Sequence, residues 1–403
     1  MTSPSIVRNQ QQTFGRLWQS VHPYVRADRD LPARLQAVLR RREFGARDRR
    51  LYRELLYTAV RHLPWTEQLA ARAETEMIRA VAWLAADTPA THEFRAALAG
   101  DWPDCPAAVA GRAQFLGVDG GLLPEWFRRH CPEAFVPPNL EVLATRPPLW
   151  IRLQTADAGT IHREFAQRGW PVRPAAVLPT AAEIPAEADV TSTRTYQEGR
   201  FEVQDLGSQM ILASAPIEPD GCWLDACAGA GGKTLQLATL AGPAGRVDAY
   251  DVRPDALTEL RERARRGGFD NIRVLERIPA PANYDGVLVD APCSGSGTWR
   301  RAPHLKWCTT PADIAAHAGQ QRQLLAQLCA QVRPGGLLVY ATCSLSRVEN
   351  QEVVEAFLAG HPEFTAVPPA RSFGCRPDGA GLTIFPAVHN TDGYFVSQLA
   401  RRR

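Results

Sequence analysis

Along the first third of the chain, apolar residues recur every three to four positions. Leu31 to Leu39 and Asp48 to Arg61 both show this helical spacing, and Glu67 to Ala86 and Glu93 to Ala99 continue it. In the second segment Leu51, Leu55, Leu56 and Ala59 share a face, while Arg49, Arg50, Arg53 and Arg61 lie largely off it. That predicts a small all-α bundle with a basic, solvated helix face. Pro137-Pro138 and Pro147-Pro148 then punctuate a boundary. Leu149 to Leu153 alternates as a strand does, and Ala158 to Arg168 reads as a helix stopped by Gly169, so a small α+β unit follows. Beyond it the pattern changes to strand and helix in alternation. Strands are predicted at 221–225, 246–250, 272–275, 285–290 and 336–341, and helices at 232–240, 254–266, 313–332 and 348–359. This rhythm predicts a doubly wound parallel sheet. The last two apolar runs, 381–386 and 393–399, have no helix predicted between them and suggest an antiparallel hairpin at the sheet edge. The expected domains are 1–139, 140–203 and 204–403.

Composition changes this picture in two places. The net charge is only +3, yet residues 1–65 carry thirteen arginines, no lysine and five acids, a local excess of +8. Lys233 and Lys306 are the only lysines in the chain, and arginine suits bidentate phosphate contact and base stacking. Nine cysteines without a C-x-x-C pair argue against a structural zinc site and against a disulfide framework, and no metal is expected. The first residues (MTSPSIVRNQQQ) lack the apolar core of a signal peptide, and no run approaches a membrane span. A monomeric protein of the cytoplasm is expected.

Three small-residue segments stand where predicted strands end: Asp225–Thr234 (DACAGAGGKT), Asp290–Gly297 (DAPCSGSG) and Tyr340–Ser344 (YATCS). In open parallel sheets, ligands bind beyond those strand ends. Two ligand classes suit the glycine loop. A phosphate loop needs G-x-x-x-x-G-K-[ST]; Gly232-Lys233-Thr234 supplies its end, but position 227, where its first glycine belongs, is Cys. A nucleoside-bearing methyl donor instead needs glycines around its amino-acid tail and an acid after the next strand for its ribose hydroxyls. Asp251, 20 residues after Gly231, has that spacing.

Together with Gln204–Gln209 (QDLGSQ), Lys306-Trp307 and Thr391–Tyr394 (TDGY), these motifs resemble those of the RNA cytosine-5 methyltransferases of the bacterial RsmB type, relatives of the Nop/Sun proteins. The resemblance implies a Rossmann-like S-adenosylmethionine-dependent methyltransferase fold, preceded by an all-α NusB-like RNA-binding domain and a small α+β linker domain. It implies cofactor contacts at Asp225, Cys227, Ala228, Gly229, Ala230, Gly231, Gly232, Lys233, Asp251 and Asp290. The family often has Pro where Ala230 stands, and Glu276 is the nearest candidate for an adenine-side acid. The arginine-rich helical end favours rRNA, 16S above all, over tRNA as the partner. A non-catalytic RNA-binding or assembly factor that has kept the fold is the rival from a different class.

The chemistry explains the residue types. Carbon 5 of cytosine is too weak a nucleophile to attack a methyl sulfonium unaided. A thiolate added to carbon 6 makes carbon 5 enamine-like, and an acid at N3 absorbs the charge that develops. By resemblance Cys343 is the nucleophile and Cys293 assists product release. Asp290, at its strand end, is placed to meet N3, and Lys233 is a candidate for lowering the Cys343 pKa. Arg300-Arg301 and Lys306-Trp307 are candidates for holding RNA. Cys105, Cys131, Cys222, Cys308, Cys329 and Cys375 are expected to be structural.

Overall fold

The computed structural model of the chain describes residues 3–40, 44–280 and 283–403. The chain forms two compact units, one of residues 1–146 with 299–310 and one of residues 147–298 with 311–403.

The first unit is helical. Helices Pro4–Val21, Leu31–Leu39, Ala46–Arg61, Leu63–Arg72, Glu74–Leu84, His92–Ala99 and Val109–Leu116 enclose a core that includes Phe14, Leu55, Leu56, Trp65, Val81 and Phe94. The helix expected to run unbroken from Glu67 is interrupted at Ala73, whose backbone is extended. Arg49, Arg50 and Arg53 are exposed as the periodicity requires, but Arg61 is buried. It ends its helix, and its guanidinium donates to the Arg300 carbonyl (3.2 Å).

Segment 299–310 belongs to this unit, and its side chains bind inward. The Lys306 ammonium is buried and donates to the carbonyls of Arg61 (2.7 Å) and Leu122 (2.8 Å). The Trp307 indole donates to the Val60 carbonyl (2.9 Å), and buried Arg300 donates to the Thr145 hydroxyl (3.1 Å). Arg300, Lys306 and Trp307 are therefore committed to protein carbonyls and hydroxyls, which corrects their reading as RNA-holding groups. Arg301 alone of the four is exposed.

The second unit holds two sheets. Strands β1 (Leu149–Leu153), β2 (Arg173–Ala175), β3 (Leu178–Ile184) and β4 (Phe201–Val203) form an antiparallel sheet in the order β2-β3-β1-β4. Helix Ala158–Gln167 covers it through Ile161 and Phe165. The larger sheet contains β5 (Cys222–Asp225), β6 (Arg246–Ala249), β7 (Ile272–Val274), β8 (Tyr284–Asp290), β9 (Val332–Thr342), β10 (Phe364–Val367), β11 (Pro377–Asp378), β12 (Gly381–Ile384) and β13 (Tyr394–Arg401). Its order is β11-β12-β13-β9-β8-β5-β6-β7, with β10 also pairing β13. Strands β5 to β9 are mutually parallel, and β13 joins β9 antiparallel. This is the doubly wound, Rossmann-like sheet expected from the alternation. Apolar cores line its two faces, one including Trp223, Leu288 and Val339 and the other Leu224, Val287 and Tyr340, as alternation along each strand dictates.

Two expectations need correction here. The terminal hairpin contains a one-turn helix, Pro386–His389, and β12 and β13 are extended by β11 and β10. The helix predicted to 332 ends at Leu328, because Cys329–Gln331 tightens into a 3₁₀ turn before β9. The chain runs β5-β6-β7 outward and then returns to β8 beside β5, so strand order reverses between β5 and β8. A ligand crevice belongs at that reversal.

Candidate active site

A cavity of about 850 Å³ opens there, lined by residues of the glycine loop, Asp251, Asp290–Cys293, Cys343 and Tyr394. The glycine loop begins on Asp225, which is fully buried and accepts from the Thr234 hydroxyl (2.7 Å) and the Cys227 amide (3.4 Å). Burial pushes this carboxyl up to about 7; the Asp290 charge adds to that, while the Thr234 and Cys227 bonds and Lys233 oppose it. Asp225 shapes the loop from beneath and is not among the cavity-lining residues. Gly231 must be glycine, with φ at +90° and a Cβ that would lie 2.8 Å from Leu260. The loop is also anchored sideways, since the Ala230 carbonyl accepts from Arg263 (2.8 Å), itself paired with buried Glu202 (2.9 Å).

At the end of β6, the buried Asp251 accepts from the amides of Gly229 (2.8 Å) and Arg253 (2.9 Å) and from the Arg253 guanidinium (3.0 Å). Burial raises its pKa, but Arg253 and these amides outweigh that and hold it below the usual carboxylate range. Cys227, Ala228, Gly229, Ala230 and Gly232 line the cavity with Asp251, whereas Gly231 does not. Glu276 is exposed and lies off the lining, where Ile278 is found instead. The phosphate-loop alternative meets a further obstacle, because the Thr234 hydroxyl is turned inward onto Asp225.

The reactive corner lies where β8 and β9 end side by side, with Asp290 opposite Ala341. Asp290 Oδ2 pairs with Lys233 Nζ at 2.8 Å, and burial of Lys233 is outweighed by Asp290, so its ammonium is held above its ordinary range. The Cys293 and Cys343 sulfurs stand 3.3 Å apart, a thiol–thiol hydrogen bond between two half-buried free cysteines. That bond and burial push the Cys293 thiol well up. Cys343, Cys293, Asp290 and Lys233 therefore meet in one cavity, while Asp225, Gly231 and Glu276 stay outside its lining.

Main-chain contacts fix this corner. The Gly297 amide donates to the Cys343 carbonyl (3.0 Å) and its carbonyl accepts from Gly393 (2.8 Å). A Cβ at Gly297 would stand 2.0 Å from the Gly393 oxygen, so no side chain fits there. The Gln204–Gln209 motif acts as a brace. Asp205 accepts from the Thr391 hydroxyl and the Gly207 amide, and Gly207 leaves room for the Tyr394 ring. Tyr394 thereby reaches the cavity, its ring 5.7 Å from Lys233 Nζ. The sequence carried Tyr394, Ser294 and Ser344 only as members of their motifs, with no role, and gave no sign of Glu349, which accepts from both serine hydroxyls. Their only signal is adjacency, the two serines directly following the two cysteines. No group of side chains able to hold a metal occurs among the described residues, and none of their helices is long and apolar enough to cross a membrane.

Comparison with known proteins places the chain among relatives. The family model described as 16S rRNA methyltransferase RsmB/F matches residues 210–400. The ribosomal RNA small subunit methyltransferase B of Vibrio cholerae is 30% identical over 303 residues, covering 72% of this chain and 68% of that one. Three further curated relatives are spanned over 50% to 66% of their own lengths. Among solved structures, PH0851 superposes with a TM-score of 0.75 at 21% identity, covering 99% of each chain. NSun6 from Pyrococcus horikoshii, solved with SFG, has a TM-score of 0.61 at 19% identity, covering 70% of this chain and 98% of that one. These two likenesses establish a shared fold.

Proposed function

The chain belongs to the RsmB/F family of methyltransferases, and from that premise we propose that it methylates carbon 5 of a cytosine in RNA, 16S rRNA above all, with S-adenosylmethionine as donor. One observation carries the reading. The two thiols of Cys293 and Cys343, 3.3 Å apart, share a cavity with the Lys233–Asp290 pair and a glycine loop.

The residues present fit the cofactor. The crevice is of the size of a nucleoside ligand and is lined by glycine-loop main chain with the Asp251 carboxylate directly beside it. Main chain from Cys227 to Gly232 would hold the amino-acid tail, and Asp251 the ribose hydroxyls. The Arg253 side chain on Asp251 is 68% exposed, so it can turn into solvent and free acceptor positions. NSun6, which shares this fold, was solved with SFG. When bound, the cofactor supplies the methyl group as a sulfonium.

The remaining steps belong to the chain's own residues. Cys343 Sγ adds to carbon 6, forming the S–C6 bond and moving the ring electrons toward carbon 5 and N3. Asp290 hydrogen-bonds N3 and relays to it a proton from the paired Lys233 ammonium, which neutralises the charge there. Once carbon 5 carries the methyl group, its proton passes to water in the open crevice, the C–H electron pair re-forms the C5–C6 double bond, the S–C6 bond breaks with its pair onto Cys343, and N3 returns its proton through Asp290 to Lys233. Cys293, in hydrogen-bond contact with that sulfur, assists the release.

Incubation with labelled S-adenosylmethionine and unmodified small-subunit rRNA tests this. Labelled 5-methylcytosine in the digested product is expected. Label in tRNA alone would replace the substrate, and label on any other nucleoside would overturn the chemistry.

A further inference from the structure

Below the thiol pair lies a carboxylate that the proposed reaction does not use. Glu349 is fully buried. Its Oε1 accepts from the Ser294 amide (2.7 Å) and the Gln321 side chain (3.3 Å), and its Oε2 from the hydroxyls of Ser294 (2.5 Å) and Ser344 (2.6 Å). Its partners among the described residues include no arginine, lysine or histidine; four neutral donors satisfy it instead. Burying a charge this way is costly unless every acceptor site is filled, so the arrangement needs a reason.

Its position supplies one. Ser294 follows Cys293 and Ser344 follows Cys343, so a single side chain grips both cysteine loops at the residue next to each sulfur. Neighbouring bonds tighten the grip. Ser296 bridges Ser344 (2.9 Å), Asn350 donates to the Ser344 carbonyl (2.9 Å), and the Tyr340 hydroxyl donates to the Glu349 carbonyl (2.6 Å). The charge is also placed asymmetrically. Glu349 acts on Cys293, whereas Lys233, paired with Asp290, feels Cys343.

We propose that Glu349 is the positioning residue of the thiol pair, holding Cys293 and Cys343 in contact and setting its charge against the Cys293 loop, with two bonds to Ser294 and one to Ser344. The purpose of this device rests on the methyl-transfer reading, but the device itself does not. Glu349→Gln is the discriminating variant, since it keeps the shape and loses the charge, and the serine hydroxyls can reverse to accept from the amide. Alkylation of the full-length protein by iodoacetamide across pH, resolved cysteine by cysteine by mass spectrometry, reads the result without substrate. In the wild type Cys343 reacts ahead of Cys293. In Glu349→Gln the midpoint of Cys293 alkylation moves to lower pH and its rate relative to Cys343 rises by about tenfold, one unit of proton affinity; Glu349→Asp restores the wild-type order. The same pH profile in wild type and Glu349→Gln overturns the proposal.

Buried Cys131, Cys329 and Cys375 report on folding in the same digest. Should Glu349→Gln expose them, Ser344→Ala takes its place, removing one donor and keeping the carboxylate. Slower cross-linking of Cys293 to Cys343 by dibromobimane is then expected, and an unchanged rate overturns the proposal. Failure of methyl transfer alone, with the alkylation pattern as described, would instead remove the reaction and leave the device.

Discussion

At the scale of single residues, strand-end position is what made the site legible. Asp290, Cys293 and Cys343 follow apolar runs that end in small residues, and the sheet brings all three to one crevice with Lys233. Glu349 was invisible because its role depends on burial and on donors from three separate segments, which no spacing encodes. Asp225 was legible as a strand end but not as a buried group, and its environment makes a prediction. Its carboxyl, raised to about 7 chiefly by burial, holds a proton in the folded chain that the unfolded chain releases near its ordinary 3.8. Between those values the folded state binds more protons, so this group's contribution to stability is full below the lower value and declines as pH rises to the upper one. Urea unfolding at about pH 5 and about pH 7.5 should therefore show wild-type stability falling relative to Asp225→Asn. Parallel pH slopes for the two proteins would contradict it.

Among elements, period alone located β5 to β9 and their helices to within a few residues, because fully buried strands read as short apolar runs. Strands β10 and β11, four and two residues long, carry too few positions to show a period. Segment 299–310 misled for a different reason. Its Arg and Lys residues look like surface charge, yet Lys306 and Arg300 satisfy main-chain carbonyls and hydroxyls of the helical unit. Lys306→Ala leaves two buried carbonyls without a donor and is expected to destabilise that unit by about 2–4 kcal/mol, read by chemical denaturation; a loss within experimental error would contradict the account. The junction of the two cysteine loops predicts a second element-level effect. Gly297→Ala forces its Cβ onto the Gly393 carbonyl, so the strand-end loops must separate. It should abolish methyl transfer while the far-ultraviolet circular dichroism stays that of the wild type, and full activity would contradict the packing described here.

For the molecule as a whole, the family model matches residues 210–400, whereas the unequal charge sits in residues 1–65 of the helical unit. Arg50 and Arg53 are exposed on the helix whose apolar face fills that unit's core, and the substrate proposal gives them phosphates to meet. Replacing both with Ala should weaken rRNA binding and lower the slope of log affinity against log salt by about 1.5, near 0.7–0.9 per lost phosphate contact. An unchanged slope would move the RNA contact elsewhere on the molecule. The covalent cysteine step remains the centre of the account, and one experiment addresses it directly. Cys293→Ala is incubated with small-subunit rRNA and S-adenosylmethionine and run on a denaturing gel, beside the Cys293→Ala/Cys343→Ala double variant. The account predicts an RNA–protein adduct that accumulates in the single variant and vanishes in the double; an adduct that survives loss of Cys343, or none in either protein, would contradict it.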